Sequence, residues 1–566
     1  EIAAHAFCSF PEAVELFMYN LPKSTRMLKE KKPPKPIEKV LSEEQKRAAD
    51  RIWESEEKVH LLYGVTGSGK TEVYFELIRR ALDAGKKALF LLPEISLTPQ
   101  MTDRIQKTFS GRKIAVIHSK ITDARRARFM ADIAQGNVDI VLGARSAVLA
   151  PLRNIGIVVI DECHETSYMQ ENRPRYNATA VARKLAELEG ARLVLGSATP
   201  DVCDYYAHDR KGTLVSLTRR YADYAMPHTV VVDMRHESDK IVSSQLDRGI
   251  RDRLEKNEQI ILFINRKGYS SAVQCDRCGY VFRCPNCEIA KTYYRSIRRL
   301  NCNYCDHSEP VPHKCPECGN EDLDFSGIGT EKIEAEIRSR YPNAIVSRID
   351  RSVMTSHTRL TEITSAFEEG KIDILIGTQM IAKGLDFPKV TLVGIMSADL
   401  QLYIPHYSAS EKAFQLFTQV SGRAGRSGLR SEVMIQTYSP HHMSISSEDY
   451  LDFYRKELIY RGKIGYPPYR SVVTLIFSDE DEAKARESAY RSKKYLRKKM
   501  EMALLDKHVK IFDEVPAALK KLDKHYRYQV LMIAENEVFE RVLALVRLIE
   551  GKLQQTTKSQ IVVEIN

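Results

Sequence analysis

Three things are missing from this sequence, and each absence narrows the fold. No apolar run among its 566 residues is long enough to cross a bilayer, and no secretory signal opens it, so a cytoplasmic protein without a membrane partner is expected. No segment recurs at the period of a solenoid. Cysteine is scarce outside one block. Of eleven, only Cys8, Cys163 and Cys203 are scattered, and small buried residues are expected there. The other eight crowd between Cys275 and Cys318 in four Cys-x-x-Cys pairs, which points to metal thiolates in a reducing compartment rather than to disulfides. The first residue is Glu1, not Met, so a piece of a longer chain is expected.

What is present suits several domains. Apolar residues make up 43% and charged residues 28%, enough for more than one core without a staple. The net charge of +11 is consistent with a polyanionic partner, because neutralised phosphates release counterions. Residues 23–39 are rich in Lys and Pro and read as an exposed linker. From Leu41, β-branched runs alternate with amphipathic stretches: His60–Tyr63, Ala88–Leu92, Ile114–His118, Ile140–Leu142, Ile155–Ile160 and Leu193–Leu195. That pattern predicts a parallel sheet covered on both faces. A second series runs through Ile260–Ile264, Ile345–Ile349, Ile372–Ile376, Val390–Ile395 and Val433–Gln436, interrupted by the cysteine block after its first strand. Beyond residue 441 a small α+β domain is expected, with strands at Val472–Phe477 and Ile561–Ile565.

Three motifs carry chemistry. Gly64-Val65-Thr66-Gly67-Ser68-Gly69-Lys70-Thr71 stands between a strand and an amphipathic helix, as a P-loop requires. Its glycines let backbone N–H groups curl around phosphate, Lys70 reaches the β- and γ-phosphates of ATP, and Thr71 ligates Mg²⁺. Asp161-Glu162-Cys163-His164 ends an apolar strand. There Asp161 is expected to hold Mg²⁺, Glu162 to polarise the attacking water, and His164 to couple the γ-phosphate to neighbouring motifs. Gln419-Val420-Ser421-Gly422-Arg423-Ala424-Gly425-Arg426 offers Arg423 and Arg426 as arginine fingers.

The cysteine pairs are Cys275/Cys278, Cys284/Cys287, Cys302/Cys305 and Cys315/Cys318. Eight thiolates make two closed tetrahedral Zn²⁺ sites. The spacing favours nesting, with Cys284, Cys287, Cys302 and Cys305 on the inner ion and Cys275, Cys278, Cys315 and Cys318 on the outer. Tyr280, Phe282, Tyr293, Tyr294, Arg295, Arg298 and Arg299 are expected to give the insert a basic, aromatic surface.

Together the three motifs resemble superfamily 2 helicases of the DExH type, and further stations follow in order. They are Leu92–Pro99, Gly143-Ala144-Arg145-Ser146, Gly196-Ser197-Ala198-Thr199 and Gly377–Gly384, with Gln45 in the place of an adenine-reading glutamine. The cysteine block, Gly327–Glu331 and Tyr466-Pro467-Pro468-Tyr469 narrow the resemblance to the replication-restart branch. It implies two RecA-like lobes, at 41–225 and 226–440, with the zinc insert at 274–319 in the second. A C-terminal domain at 441–566 follows, and the tail of a winged helix and a linker at 1–40 precede them. It implies ATP bound between the lobes, Mg²⁺ and two Zn²⁺ ions. It also implies a monomer that moves 3′-to-5′ on single-stranded and forked DNA, with single-strand DNA-binding protein and other primosome proteins as partners. Tyr168-Met169-Gln170 through Arg175-Tyr176 resembles the aromatic-rich loop of such helicases, where Tyr168 and Tyr176 are expected to stack on bases. The sequence departs from the branch at Cys163, Thr179, Ala180, Leu385, His406 and Ser408, and the 3′-end-binding front domain is not in it. A second reading follows from these departures, a DNA-binding primosome scaffold whose motor is impaired.

Overall fold

The computed structural model describes residues 40–93, 99–119, 121–170, 174–220, 227–264, 275, 277–286, 289–294, 299–302, 304–305, 307–321, 330–349, 357–378, 387, 389–422, 430–522, 524–556 and 559–565. Two compact units divide the chain, Glu1–Asp223 and Tyr224–Asn566.

The first unit is an α/β sandwich on a seven-stranded parallel sheet. Its strands are β1 (Val59–Gly64), β2 (Lys87–Leu91), β3 (Ile114–Ile117), β4 (Ile140–Gly143), β5 (Ile155–Ile160), β6 (Arg192–Ser197) and β7 (Leu214–Leu217), in the order β3-β4-β2-β5-β6-β1-β7. All six residues of β5 are buried, which is why it reads as an unbroken apolar run; the edge strand β3 alternates instead. Two helices matter for the site. Helix α1 (Glu43–Glu54) starts in a capping box in which Ser42 and Gln45 each accept from the other's backbone N–H. Helix α2 (Lys70–Asp83) packs Val73, Phe75, Leu77 and Ile78 into the same core as Ala49 and Ile52 of α1.

The second unit opens with β8 (His228–Asp233) and β9 (Gln259–Phe263). A Cys-rich insert follows, with a small antiparallel sheet of β10 (Thr292–Tyr294), β11 (Arg299–Asn301) and β12 (Ser308–Pro310). The main sheet then resumes with β13 (Val346–Ile349), β14 (Ile374–Gly377), β15 (Val390–Ile395) and β16 (Glu432–Thr437). Its order is β13-β14-β9-β15-β16-β8, parallel throughout. Helix α3 (Ala409–Ser421) buries Ala413, Leu416, Phe417 and Val420 against this sheet.

After α4 (Tyr450–Ile464) comes a five-stranded antiparallel sheet of β17 (Arg470–Asp479), β18 (Val509–Ile511), β19 (Val515–Leu522), β20 (His525–Glu535) and β21 (Gln560–Ile565), with α5 (Glu482–Met502) and α6 (Phe539–Thr556). The sequence pattern anticipates β17 and β21 but not β18, β19 or β20; lysines interrupt the apolar pattern of β18 and β19. No described helix is long and apolar enough to cross a membrane.

Candidate nucleotide and metal sites

β1 lies between β6 and β7 and ends at Gly64, where the P-loop begins. A Cβ on Gly64 would stand 2.5 Å from Ser68 Oγ and 2.9 Å from Lys70 Cγ, so the tight wrap of this loop demands glycine. Gly67 and Gly69 adopt φ of 82° and 80°, which turns the loop into the first turn of α2. No side chain caps that helix, leaving its first N–H groups to an anion. Ser68 Oγ is buried without a hydrogen-bond partner, and Lys70 Nζ donates to Gly64 O at 2.8 Å. This is a cradle that phosphate oxygens fit. Val65, Thr66 and Thr71 are partly exposed around it.

Gln45 packs against the P-loop. Its Nε2 donates to Ser68 O at 3.0 Å, its Oε1 accepts from Ser42 N at 2.9 Å, and the residue is 1% exposed. With the amide turned inward, Gln45 braces the P-loop.

The acidic motif follows β5. Tyr74 of α2 is fully buried and donates from its hydroxyl to Asp161 Oδ1 at 2.9 Å. The space for that hydroxyl is the missing side chain of Gly196, whose Cβ would stand only 1.6 Å away. Burial raises the Asp161 carboxyl pKa, and the Lys70 cation, the Tyr74 hydroxyl and the Glu162 backbone N–H offset part of that rise. Glu162 holds a left-handed φ of 46°, a strained setting for a side chain expected to act as general base. His164 Nδ1 shares a hydrogen bond of 2.7 Å with Ser197 Oγ and lies 3.6 Å from Glu162 Oε2. Ser197 Oγ also accepts from Thr199 N at 2.9 Å. His164 is thereby tied to the Gly196–Thr199 motif.

The aromatic-rich loop corrects the expectation for its tyrosines. Tyr168 and Tyr176 are each 2% exposed and cannot stack on a base. Burial of Tyr168 leaves nothing unsatisfied, because its hydroxyl donates to the Asp161 carbonyl at 2.8 Å. Met169 is 45% exposed between them, and its carbonyl accepts from Arg145 Nη1 at 2.8 Å, as does that of Ser167 at 3.2 Å. Sequence reasoning missed Tyr74 and the bracing role of Arg145. The available signal was the place of Arg145 inside the Gly143–Ser146 motif and of Tyr74 in the helix that follows the P-loop.

In the second unit, the Sγ atoms of Cys275, Cys278, Cys315 and Cys318 lie within 4.8 Å of one another, and so do those of Cys284, Cys302 and Cys305. The pairs Cys275–Cys318, Cys278–Cys315 and Cys284–Cys305 are 3.7, 3.5 and 3.5 Å apart. Thiolates 2.3 Å from one tetrahedral zinc stand roughly 3.8 Å apart, whereas a disulfide closes to about 2.05 Å. The grouping is the nested one and suits zinc. Burial works to raise the Cys275 thiol, but the backbone N–H groups of Cys278 and Arg277 and the neighbouring thiols bring it down to about 7. Gly279 turns the first knuckle at φ 76°, and its Cβ would collide with Tyr438 at 2.4 Å, so the insert seats directly on the strand end after β16. Phe282 is 4% exposed and packs on Leu300, so it belongs to the core of the insert and not to its surface. Cys287, Arg295, Arg298, Lys383, Arg423 and Arg426 lie outside the described residues.

Residues 42–205 match the DEAD/DEAH box helicase family, 328–428 the helicase conserved C-terminal domain and 284–310 the PriA DNA helicase Cys-rich region domain. Over 562 residues the chain is 42% identical to the replication restart protein PriA of Bacillus subtilis, covering 97% of this chain and 68% of that one. It is 37% identical to its counterpart from Synechocystis sp., covering 83% and 58%, and 36% identical to that of Chlamydia trachomatis, covering 88% and 67%. The chain thus spans between 58% and 68% of the length of these relatives.

Proposed function

The chain belongs to the family of replication restart protein PriA, and on that premise we propose that it is an ATP-driven DNA helicase that moves 3′-to-5′ and acts at stalled replication forks. One observation carries the motor part of this reading. The helix that follows the phosphate cradle, with its orphaned Ser68 Oγ, is joined to Asp161 through Tyr74, and His164 is joined to the Gly196–Thr199 motif through Ser197.

In this reading Gly64–Thr71 hold the phosphates of ATP, with Lys70 released from Gly64 O onto the β- and γ-phosphates. Mg²⁺ neutralises the phosphate charge when bound, and Thr71 and Asp161 are the residues that hold it. Glu162 takes the proton of the attacking water. Arg423 and Arg426 stabilise the charge on the γ-phosphate in the transition state. Two Zn²⁺ ions, one in each Cys cluster with Cys287 as the fourth inner ligand, order the insert. Single-stranded and forked DNA, single-strand DNA-binding protein and other primosome proteins are the partners, and the active form is a monomer.

The test is strand displacement from duplexes with either a 3′ or a 5′ single-stranded tail, together with ATP turnover with and without DNA. Displacement that depends on ATP and needs the 3′ tail, with both activities lost in Lys70→Ala, is the expected result. ATP turnover indifferent to DNA would favour the scaffold reading.

Tyr74 gives a second, finer test. Tyr74→Phe removes one hydrogen bond to a carboxylate, worth about 1.5–3 kcal/mol, and frees Asp161 to rotate. ATP turnover at subsaturating Mg²⁺ should fall by about tenfold or more and recover as Mg²⁺ is raised. An unchanged Mg²⁺ titration would reject the positioning role of Tyr74.

A further inference from the structure

A cluster of buried charge among the described residues of the second unit lies far from any phosphate motif in sequence. Arg461 of α4 is 1% exposed. Its Nη2 donates to Glu411 of α3 at 2.8 Å, its Nε to Glu457 of its own helix at 2.8 Å and its Nη1 to the Pro467 carbonyl at 3.2 Å. Both carboxylates are buried with it. The guanidinium lies over the Tyr407 ring, 5.2 Å from its centroid. Tyr407 in turn stacks on Tyr466 at 5.3 Å, and its backbone N–H donates to the Tyr304 hydroxyl at 3.2 Å. Tyr304 stands between Cys302 and Cys305 of the inner cluster. His406 and Ser408, two of the departures from the helicase pattern, complete the turn before α3 by bonding each other at 2.7 Å.

We propose that Arg461 is a positioning residue for ATP hydrolysis: it fixes the rotation of α3, the helix that carries Gln419 and leads into Arg423, against the inner cysteine cluster and α4. The proposal rests on the motor reading above. A buried ion pair of this kind is a poor source of stability, since desolvation offsets most of its attraction. What it supplies is direction. A planar guanidinium with three acceptors and a ring beneath it admits one orientation, whereas an apolar contact would let the helix slide. The leverage is large, because a turn of about 10° about the helix axis moves a side-chain tip some 6 Å off that axis, such as that of Gln419, by roughly 1 Å, and a 1 Å misplacement can cost on the order of 10²-fold in rate. Glu411 is in the first turn of α3, the right place to set that rotation.

The test separates direction from stability. A neutral triple variant, Arg461→Met with Glu411→Leu and Glu457→Leu, replaces the buried ion cluster by apolar side chains of similar size, so it should fold and melt near the parent protein. DNA-stimulated kcat should fall about 10- to 100-fold, with KM for ATP, the Kd of a non-hydrolysable ATP analogue and zinc content all within about twofold of the parent. Arg461→Lys, which keeps the charge but loses the fork, should fall in between. Full kcat in the triple variant overturns the proposal. So does a variant that loses kcat only in step with its melting temperature and analogue binding, which is the mark of a merely structural role. Lys70→Ala run in parallel keeps the two readings apart, since normal turnover in that variant sinks the motor assignment, whatever Arg461 does.

Discussion

Glu162→Gln is expected to lower the DNA-stimulated kcat for ATP by about 10²- to 10⁴-fold while leaving the affinity for nucleotide within a fewfold of the parent. The substitution is isosteric and changes only the ability to accept a proton. The left-handed φ of 46° at this position is imposed by its surroundings. Cys163 N is held by Gly196 O at 3.0 Å on one side, and Asp161 N by Leu91 O at 3.0 Å on the other. The glutamine therefore occupies the place of the glutamate. The phosphate cradle lies on a different loop and is untouched, which predicts the split between turnover and binding. Single-turnover hydrolysis, beside titration of a fluorescent ATP analogue, reads both. A loss of less than tenfold in turnover would remove Glu162 from the base role, and a parallel loss of binding would show that the loop itself had moved.

The second large effect is metal removal. Each zinc set of this type contributes on the order of 10 kcal/mol of folding free energy at neutral pH. The two clusters differ in what they support. Cys284 and Cys302 of the inner set share one apolar cluster with Tyr304, Tyr407, Tyr466, Val472, Leu531 and Ile533. That cluster joins the insert to β17 and β20. Cys302→Ser is expected to abolish inner-site zinc and to expose the C-terminal sheet with it, seen as lost amide protection along β17 and β20. Cys315→Ser, in the outer set, should lose its zinc with that protection kept. Equal protection in both variants and the parent would reject this division of labour.

Sequence pattern read best where one physical demand dominates. The P-loop was legible because phosphate binding needs several glycines and one lysine within eight residues, and strand β1 and helix α2 lie on either side of it as expected. β5 and β15 were legible because strands buried on both faces must be apolar throughout. The nested cysteine pairs were legible because a ligand set has fixed spacing. Partnered polar groups are where it failed. Tyr168 and Tyr176 look like stacking platforms in a polar loop, but a hydroxyl that finds a carbonyl can be buried at little cost, and sequence does not show the carbonyl. Tyr74 looks like one more apolar residue on the inner face of α2, yet its hydroxyl reaches Asp161 only because residue 196 is glycine. β8 was missed because as an edge strand it buries little, with a pattern that lacks both the full run and the clean alternation.

The place of β8 also bears on how the chain emerges from the ribosome. It is the first strand of the second sheet to be made, yet its partner is β16, about 200 residues further on. β9 waits about 110 residues for β14, with the whole Cys-rich insert translated in between. At 5–20 residues per second, β8 spends roughly 10–40 s of synthesis without its neighbour. Before β14 is made, the cysteine clusters, whose ligands lie within 44 residues of one another, are already able to close. Metal availability at the ribosome therefore sets whether the nascent insert is already compact when the flanking strands meet, or is still an open loop between them.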